Sequence, residues 1–246
     1  MEAAFLGQLQ GRSWFSREEL SSAMEAVGLH LGAANFKSKL QKLLVEGRIA
    51  RAGRNAYYVP QEGVRPYTYE ASPLACEIAG ILQAAFPFAD FTIFELVQLN
   101  EFVNHQLAHN VFFVDADGDT LDFVFDTLKE NYPGKVLLRP SVKTYHTYWT
   151  NDMIVLQRLV TEAPREKKQR WQGRLEKILV DLAASSLMRS IVSPSEYPAI
   201  YEGAFERYVI DESTLFRYAK RRGTEQRLRT FLAEETGIRL RLEQPC

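Results

Sequence analysis

The stretch from Gly32 to Val59 constrains the fold of this chain more than any other. It reads GAANFKSKLQKLLVEGRIARAGRNAYYV. Its apolar residues recur at the spacing of one helical face, where they can be buried against neighbouring helices: Phe36, Leu40, Leu43 and Leu44. Lysines and small polar residues occupy the other faces. The stretch therefore predicts a basic amphipathic helix.

A short hairpin is predicted directly after this helix. Gly47 ends the helix, and the runs 49–52 and 56–59 are β-prone. The turn between them, Ala52-Gly53-Arg54-Asn55, carries a basic tip. A helix followed by a basic-tipped hairpin is typical of the recognition helix and wing of a winged helix-turn-helix.

Two helices are predicted upstream of this pair. Residues 1–10 can form a short first helix, and Ser16 with Glu19 makes a capping box. The second helix should therefore run from Arg17 to about Val27, where Gly28 ends it. Three helices and a hairpin follow the winged-helix order, so we predict a DNA-binding domain over residues 1–62.

The predicted DNA contacts fall into two groups, those to phosphates and those to base edges. Cations neutralise backbone phosphates, whereas short polar side chains near the helix start reach base edges. The phosphate contacts would be Arg17, Lys37, Lys39, Lys42, Arg51 and Arg54, and the base-edge contacts Asn35 and Ser38. A solvated basic face on an ordinary helix is the alternative interpretation of the helix taken alone.

Cysteine usage and hydropathy indicate a cytoplasmic protein. The chain of 246 residues has two cysteines, Cys76 and Cys246, which give neither a disulfide framework nor a metal-ligand spacing. No apolar run approaches the roughly 18 residues of a membrane span, and no signal peptide is recognisable. We expect no membrane association, no cofactor and no metal.

Charge is distributed unevenly along the chain. Residues 1–65 hold 9 Lys and Arg against 6 Asp and Glu, residues 66–128 hold 0 against 10, and residues 129–246 hold 21 against 15. An acidic segment repels DNA phosphates. If DNA is bound, residues 66–128 should face away from it or toward a basic partner, unless the unevenness is only drift in surface composition.

A linker over residues 63–70 and a mixed α/β domain over residues 71–246 are predicted next. The domain alternates helices with apolar strands and is closed by a C-terminal helical bundle, so the fold class is α+β. Helices are predicted over 72–85, 119–131, 173–186, 195–208, 211–220 and 224–235, and strands over 91–94, 111–114, 136–138 and 153–160, with 144–150 also β-prone.

Four segments of this second domain resemble the core of the AbiEi-type antitoxins and related regulators. They are residues 90–105, 122–129, 154–162 and the run Leu-Glu-Lys-Ile-Leu-Val-Asp-Leu at 175–182. The resemblance implies a winged-helix repressor that binds double-stranded DNA, an inverted-repeat operator of its own operon. It also implies a partner, a nucleotidyltransferase-like toxin from the neighbouring gene, within a phage-defence type of toxin-antitoxin system.

Other constellations leave alternatives open. Asp115 and Asp117 follow an apolar strand as in metal-dependent nucleotidyltransferases or nucleases, although no Gly-Ser pair precedes them.

His105 and His109 could share a helix face with Glu101, and Glu176 beside Lys177 indicates an orienting ion pair. A possible second basic surface comprises Lys220, Arg221, Arg222 and Arg227, with Tyr218 among the cations. A protein-interaction module without DNA binding is the third possibility.

Overall fold

The computed structural model describes residues 2–244 and is a mixed α+β structure, as predicted. The N-terminal part contains three helices and a hairpin: α1 (Glu2–Leu9), α2 (Arg17–Ala26), α3 (Ala33–Val45), β1 (Ala50–Gly53) and β2 (Ala56–Tyr58). Cys76 is a free, exposed cysteine, and Cys246 lies outside the described residues. No helix within residues 2–244 combines the length and hydropathy needed to cross a bilayer.

The rest of the described chain alternates helices and strands. The longer elements are α4 (Pro73–Ala85), β3 (Phe91–Glu95), β4 (Val111–Ala116), α5 (Leu121–Asn131), β5 (Val136–Leu138), α6 (Val142–Tyr148), β6 (Met153–Arg158), α7 (Leu175–Ala184), α8 (Ser186–Ile191), α9 (Tyr197–Arg207), α10 (Glu212–Arg221) and α11 (Glu225–Glu235). Short 3-10 helices lie at Leu96–Glu101, Pro194–Glu196 and Arg241–Glu243.

The N-terminal helices begin and pack as their sequence predicts. The Ser16 side chain accepts a hydrogen bond from the Glu19 amide, and the Glu19 carboxylate accepts one from the Ser16 amide at 2.7 Å. This capping box starts α2 at Arg17. The buried apolar faces of α1, α2 and α3 meet in one cluster that also includes Phe15, Ile49 and Tyr57.

Phe15 forms an isolated antiparallel bridge with the hairpin. Its amide donates to the Tyr57 carbonyl at 2.7 Å, and the Tyr57 amide donates back to the Phe15 carbonyl at 2.9 Å. This antiparallel bridge ties the link between α1 and α2 to β2. Along the chain the order is helix, bridge residue, helix, helix, hairpin.

The hairpin is buried on both faces. Tyr57 faces the helical cluster, whereas Tyr58 lies in a second cluster with Ala50, Ala52 and Ala56. Val209, after α9, packs against this second cluster, and the Arg241 guanidinium lies 3.9 Å from the centroid of the Tyr58 ring. The C-terminal part of the chain therefore covers the side of the hairpin that the helices leave open.

A four-stranded sheet in the order β3-β4-β6-β5 forms the middle layer of the larger part. β3 is antiparallel to β4, and β4, β6 and β5 run parallel. One face packs on α4 and α5, and the other packs on a cluster that includes α7, α9 and α10. Because both faces are covered, β4 is apolar along nearly its whole length.

Two local predictions are wrong. Residues 144–150 are β-prone by composition, yet Val142–Tyr148 is helical, because the Ser141 hydroxyl accepts from the Thr144 amide at 3.0 Å and so caps α6. His105 and His109 lie in irregular chain after the 3-10 helix, so they do not share a helix face. His105 instead pairs with Glu196 at 2.7 Å, and His109 contacts the Trp149 ring.

The segment predicted as a linker, residues 63–70, is held against the end of α9. The Arg65 amide donates to the Arg207 carbonyl at 3.1 Å, and the Val209 amide donates to the Arg65 carbonyl at 3.0 Å. The Tyr67 ring packs edge-on against Tyr208 with 5.0 Å between centroids. Backbone pairing of this kind fixes the path of the segment.

A buried ionic network joins the sheet to the helices. The Lys177 ammonium on α7 lies 2.5 Å from the Asp115 carboxylate at the end of β4 and 2.6 Å from Asp181, one turn along α7. Tyr218 on α10 donates to Asp181 at 3.0 Å, and Arg222 Nε lies 3.1 Å from it. Burial alone would lower the pKa of Lys177, but the two carboxylates outweigh burial and raise it.

Replacing Lys177 by methionine should strongly destabilise the fold. Asp115 would lose its cationic partner while remaining buried, and breaking a buried pair in this way costs about 3 to 5 kcal/mol. Urea denaturation of Lys177→Met followed by circular dichroism measures the loss. Lys168→Met, on an exposed residue, is the matched control and should shift stability by less than about 0.5 kcal/mol.

The double variant Asp115→Asn/Lys177→Met shows how much of the lost stability is due to the unpaired charge and how much to packing. With the carboxylate at 115 neutralised, no unpaired charge remains beside the sheet, so part of the lost stability should return. Equal stability of the single and double variants would show that the unpaired Asp115 charge does not cause the loss of stability.

Candidate nucleic-acid interface

The exposed side of α3 is the first part of the candidate interface. Leu40 and Leu43 are buried, Phe36 and Leu44 are half-buried, and Gly32 opens the helix without a side-chain cap. Lys39 is also half-buried, and the other positions face solvent: Ala33, Ala34, Asn35, Lys37, Ser38, Gln41, Lys42 and Val45. Small residues at the entry leave room for a close approach to this face.

The three lysines predicted on α3 differ in their surroundings. Lys39 donates to the Glu2 carboxylate at 2.5 Å, which lowers the pKa of Glu2, and Arg48 lies 3.4 Å from the same carboxylate. Lys42 is 3.6 Å from Glu46. Lys37 is exposed and forms no ion pair within residues 2–244. Lys37 is thus the most available of the three cations.

Two of the predicted arginines meet at the Tyr57 ring. The Arg17 guanidinium donates to the Tyr57 hydroxyl at 3.2 Å, and the Arg51 guanidinium lies 5.7 Å from the ring centroid. The Arg17 amide also donates to the Asn55 side chain at 3.2 Å. Asn55 has a φ of 55°, a conformation that asparagine tolerates in tight turns. The start of α2 and the turn of the hairpin therefore lie side by side.

The turn of the hairpin also contacts the C-terminal part. The Arg54 amide donates to the Ser213 hydroxyl of α10 at 3.2 Å, and Gly53 lies directly against Ser213. Near the same helix start, the buried Glu212 carboxylate accepts from the amides of Arg241 and Leu242 at 2.8 and 3.0 Å. The hairpin is thus clamped by α10 and by residues 240–244.

Adding a methyl group at Gly53 should loosen this clamp. The alanine Cβ would overlap the Ser213 hydroxyl and lie 3.0 Å from a Leu242 methyl carbon, so Gly53→Ala should cost about 1 to 3 kcal/mol of stability. Thermal or urea unfolding measures the loss. Gly7→Ala is the control, because its Cβ would meet nothing within 4 Å.

Repeating Gly53→Ala in a Ser213→Gly background tests the cause of the destabilisation. If overlap with Ser213 is responsible, Gly53→Ala should cost less in that background than in the wild type, and the difference is the coupling between the two sites. An identical cost in both backgrounds would contradict the proposed contact.

The predicted second basic surface is mostly occupied by internal contacts. Arg221 pairs with Glu162, Arg222 pairs with Asp181, and Arg227 donates to the Ala183 carbonyl. Lys220 is exposed. Tyr218 is buried and directed at Asp181, so it is not available to nucleic acid.

The acidic segment 66–128 finds partners in the basic remainder of the chain. Asp90 pairs with Arg165 at 2.6 Å, and Glu101 lies 3.7 Å from Arg207. Together with the contact between Asp115 and Lys177, these pairs neutralise part of the segment internally. A basic partner protein is not needed to explain its composition.

The two carboxylates considered for catalysis, Asp115 and Asp117, lie in different environments. Asp115 is buried against Lys177, whereas Asp117 is exposed in the turn after β4. The predicted pairing of Glu176 with Lys177 is wrong: Glu176 accepts from Arg174 at 2.6 Å and from the Asp211 amide at 3.0 Å. Within residues 2–244, no three His, Cys, Asp or Glu side chains are grouped to hold a metal ion.

Comparison with known proteins assigns the chain to a family. A model described as "Family of unknown function (DUF6577)" matches residues 35–238. The chain belongs to this family. The matched region begins within α3 and ends beyond α11, so the hairpin and the whole sheet are family features, while α1 and α2 lie outside the match.

Two further comparisons add little. No curated protein matches the sequence significantly. Among solved structures, the crystal structure of the RV2827C protein from Mycobacterium tuberculosis is similar at 12% sequence identity and a TM-score of 0.23, over 94% of this chain and 80% of that one.

The Lys177 network could not be predicted from the local sequence pattern. Lys177 and Asp181 stand four residues apart on a helix, a spacing that also describes an ordinary surface pair. The informative signal is their position on a helix whose described residues are nearly all buried. Charged residues on such a helix need buried partners, which only the tertiary structure identifies.

Proposed function

We propose that the chain is a DNA-binding transcriptional regulator in which residues 2–62 act as a winged helix-turn-helix and α3 enters the major groove. The observation that carries this proposal is the exposed polar face of α3, which is followed in the chain by a hairpin where Arg17 and Arg51 meet at Tyr57. A recognition helix and a wing contact adjacent parts of one duplex.

The pairing of Phe15 with Tyr57 supports the same proposal. It ties the link between the first two helices to β2, and the turn of the hairpin lies beside the start of α2. The amides at the start of α2 are engaged by the capping box and by Asn55, so a phosphate there would be bound by side chains. Arg17 at this position would add a full charge.

The exposed chemistry of α3 suits both kinds of contact. Lys37 and Lys42 would reach phosphates, while Asn35 and Ser38 would reach base edges from the first half of the helix. Lys39 and Arg48 share Glu2, so they would add less to phosphate binding. A modest set of free cations favours two copies acting together on an inverted repeat.

Salt-dependent binding tests this proposal. Lys37→Ala and Lys42→Ala should weaken binding to the duplex upstream of the protein's own gene and should each reduce the salt slope by about one. Asn35→Ala should instead lower the preference for that duplex over a scrambled one by about 1 to 3 kcal/mol. Fluorescence anisotropy over a range of salt concentrations measures both quantities.

Lys129→Ala, on α5, is the matched control and should leave the salt slope unchanged. Equal slopes for the wild type and the two α3 lysine variants would overturn the placement of α3 on DNA. Binding of the upstream and scrambled duplexes with the same affinity would overturn the regulator function itself.

We further propose that the regulator is the antitoxin and autorepressor of a toxin-antitoxin operon of the phage-defence type. The support is the resemblance of the run at 175–182 and three other segments to AbiEi-type antitoxins, together with the order of an N-terminal DNA-binding part and a C-terminal α/β part. The partner would be a nucleotidyltransferase-like toxin from the neighbouring gene.

Co-expression tests the antitoxin role separately from DNA binding. If the neighbouring gene product arrests growth, this chain should restore growth, and the Lys37→Ala/Lys42→Ala variant should restore it equally while losing repression of a promoter reporter. Colony counts and reporter activity are the two readouts. Undiminished growth arrest would overturn the antitoxin role and leave the DNA-binding proposal standing.

A further inference from the structure

Three arginines surround one cavity at the edge of the sheet. The cavity has a volume of about 570 Å³ and is lined by Arg139, Arg158 and Arg222 together with Gln157 and Thr161. No carboxylate belongs to its lining. Concave sites of this size accommodate small molecules.

The cavity lies where the parallel strands end. Ala116 of β4 is in register with Arg158 of β6, and the Arg139 amide, just after β5, donates to the Leu156 carbonyl of β6 at 2.9 Å. Three carboxyl ends therefore meet at this edge. Open sheets with parallel strands bind their ligands in the crevice outside such ends.

Two of the arginines are not neutralised by a carboxylate. Arg139 and Arg158 form no ion pair within the described chain, residues 2–244. Gly118 provides the space for Arg158, because a Cβ there would lie 2.8 Å from the Arg158 Nε atom. Arg139 adopts a φ of 43°, and strained backbone of this kind clusters at ligand sites.

The third arginine is oriented by the buried network. Arg222 Nε lies 3.1 Å from Asp181, and its side chain is 20% exposed. The ionic network thus anchors one end of the guanidinium while the residue lines the cavity. Planar guanidinium groups bind phosphate through paired hydrogen bonds, which makes arginine the preferred side chain for phosphate recognition.

The basic character does not continue along the neighbouring helix. Glu162 pairs with both Arg217 and Arg221 on the exposed side of α10, which leaves Lys220 as an isolated exposed cation on this helix. A nucleic-acid backbone needs an extended basic track, whereas a single phosphorylated small molecule needs only a concave site.

From this geometry we infer a binding site for a phosphorylated small molecule, with Arg139, Arg158 and Arg222 as its phosphate ligands. Gln157 and Thr161 would hydrogen-bond the neutral part of the ligand. The site is independent of α3, so it stands whether or not the chain binds DNA.

Isothermal titration of the full chain with sodium pyrophosphate tests the site. Arg158→Gln and Arg139→Gly should each weaken binding by about tenfold to a hundredfold, since each removes hydrogen bonds to a charged group. Glycine at position 139 keeps the positive φ accessible. Gly118→Ala should also weaken binding, although it leaves the net charge unchanged, because its Cβ displaces Arg158.

Arg170→Gln is the control for charge, since Arg170 is exposed and lies outside the lining. It should change the affinity by less than about twofold. Circular dichroism spectra and melting temperatures of all variants should match the wild type, which separates lost binding from lost folding.

Three outcomes would overturn the inference. The first is the absence of pyrophosphate binding to the wild type at about 1 mM. Arg170→Gln could weaken binding as much as Arg158→Gln does, which would indicate general charge attraction. A 5′-phosphorylated duplex that competes with pyrophosphate and loses binding in the same variants would identify the cavity as a nucleic-acid contact instead.

Discussion

The contact of Lys177 with two carboxylates is the interaction on which the architecture depends. A buried ammonium is stable only when it is paired and hydrogen-bonded, so Asp115 and Asp181 must both approach it. This requirement fixes α7 against the end of β4. Tyr218, which donates a hydrogen bond to Asp181, fixes α10 against α7. The sheet, the central helix and the C-terminal bundle are thus positioned by one charged group.

Helix α10 also connects the Lys177 network to the N-terminal part of the chain. α10 begins beside the hairpin, where Ser213 contacts Gly53 and Glu212 holds the backbone at Arg241 and Leu242. The hairpin is therefore wedged between its own helices and the C-terminal part of the chain. A ligand that shifted Arg222, which follows α10, would act on a helix that also touches the proposed wing. The structure thus offers a physical route between the two proposed sites.

Periodicity and capping predicted most elements because these signals are local. The capping box at Ser16, the helix at 72–85 and the apolar strand at 111–114 all appear where the sequence places them. The prediction at 144–150 failed because β-propensity mostly reflects packing in a sheet, whereas the cap at Ser141 acts directly on the backbone. For the candidate interface, periodicity correctly left Lys37 and Ser38 exposed. The engagement of Lys39 by Glu2 depends on how α1 crosses α3, which no local pattern encodes.

The α+β class, the order of three helices and a hairpin, and the exposed polar face of α3 are all encoded in local sequence patterns. Each of these follows from hydrophobic period, turn residues and caps within a few positions of one another. Which charges are free depends on the three-dimensional packing. Lys177, Arg222 and Lys39 look alike in the sequence as cations on helices, but their roles depend on carboxylates up to 62 residues away. Long-range pairing in a low-dielectric interior is set by packing, and the sequence pattern does not specify it.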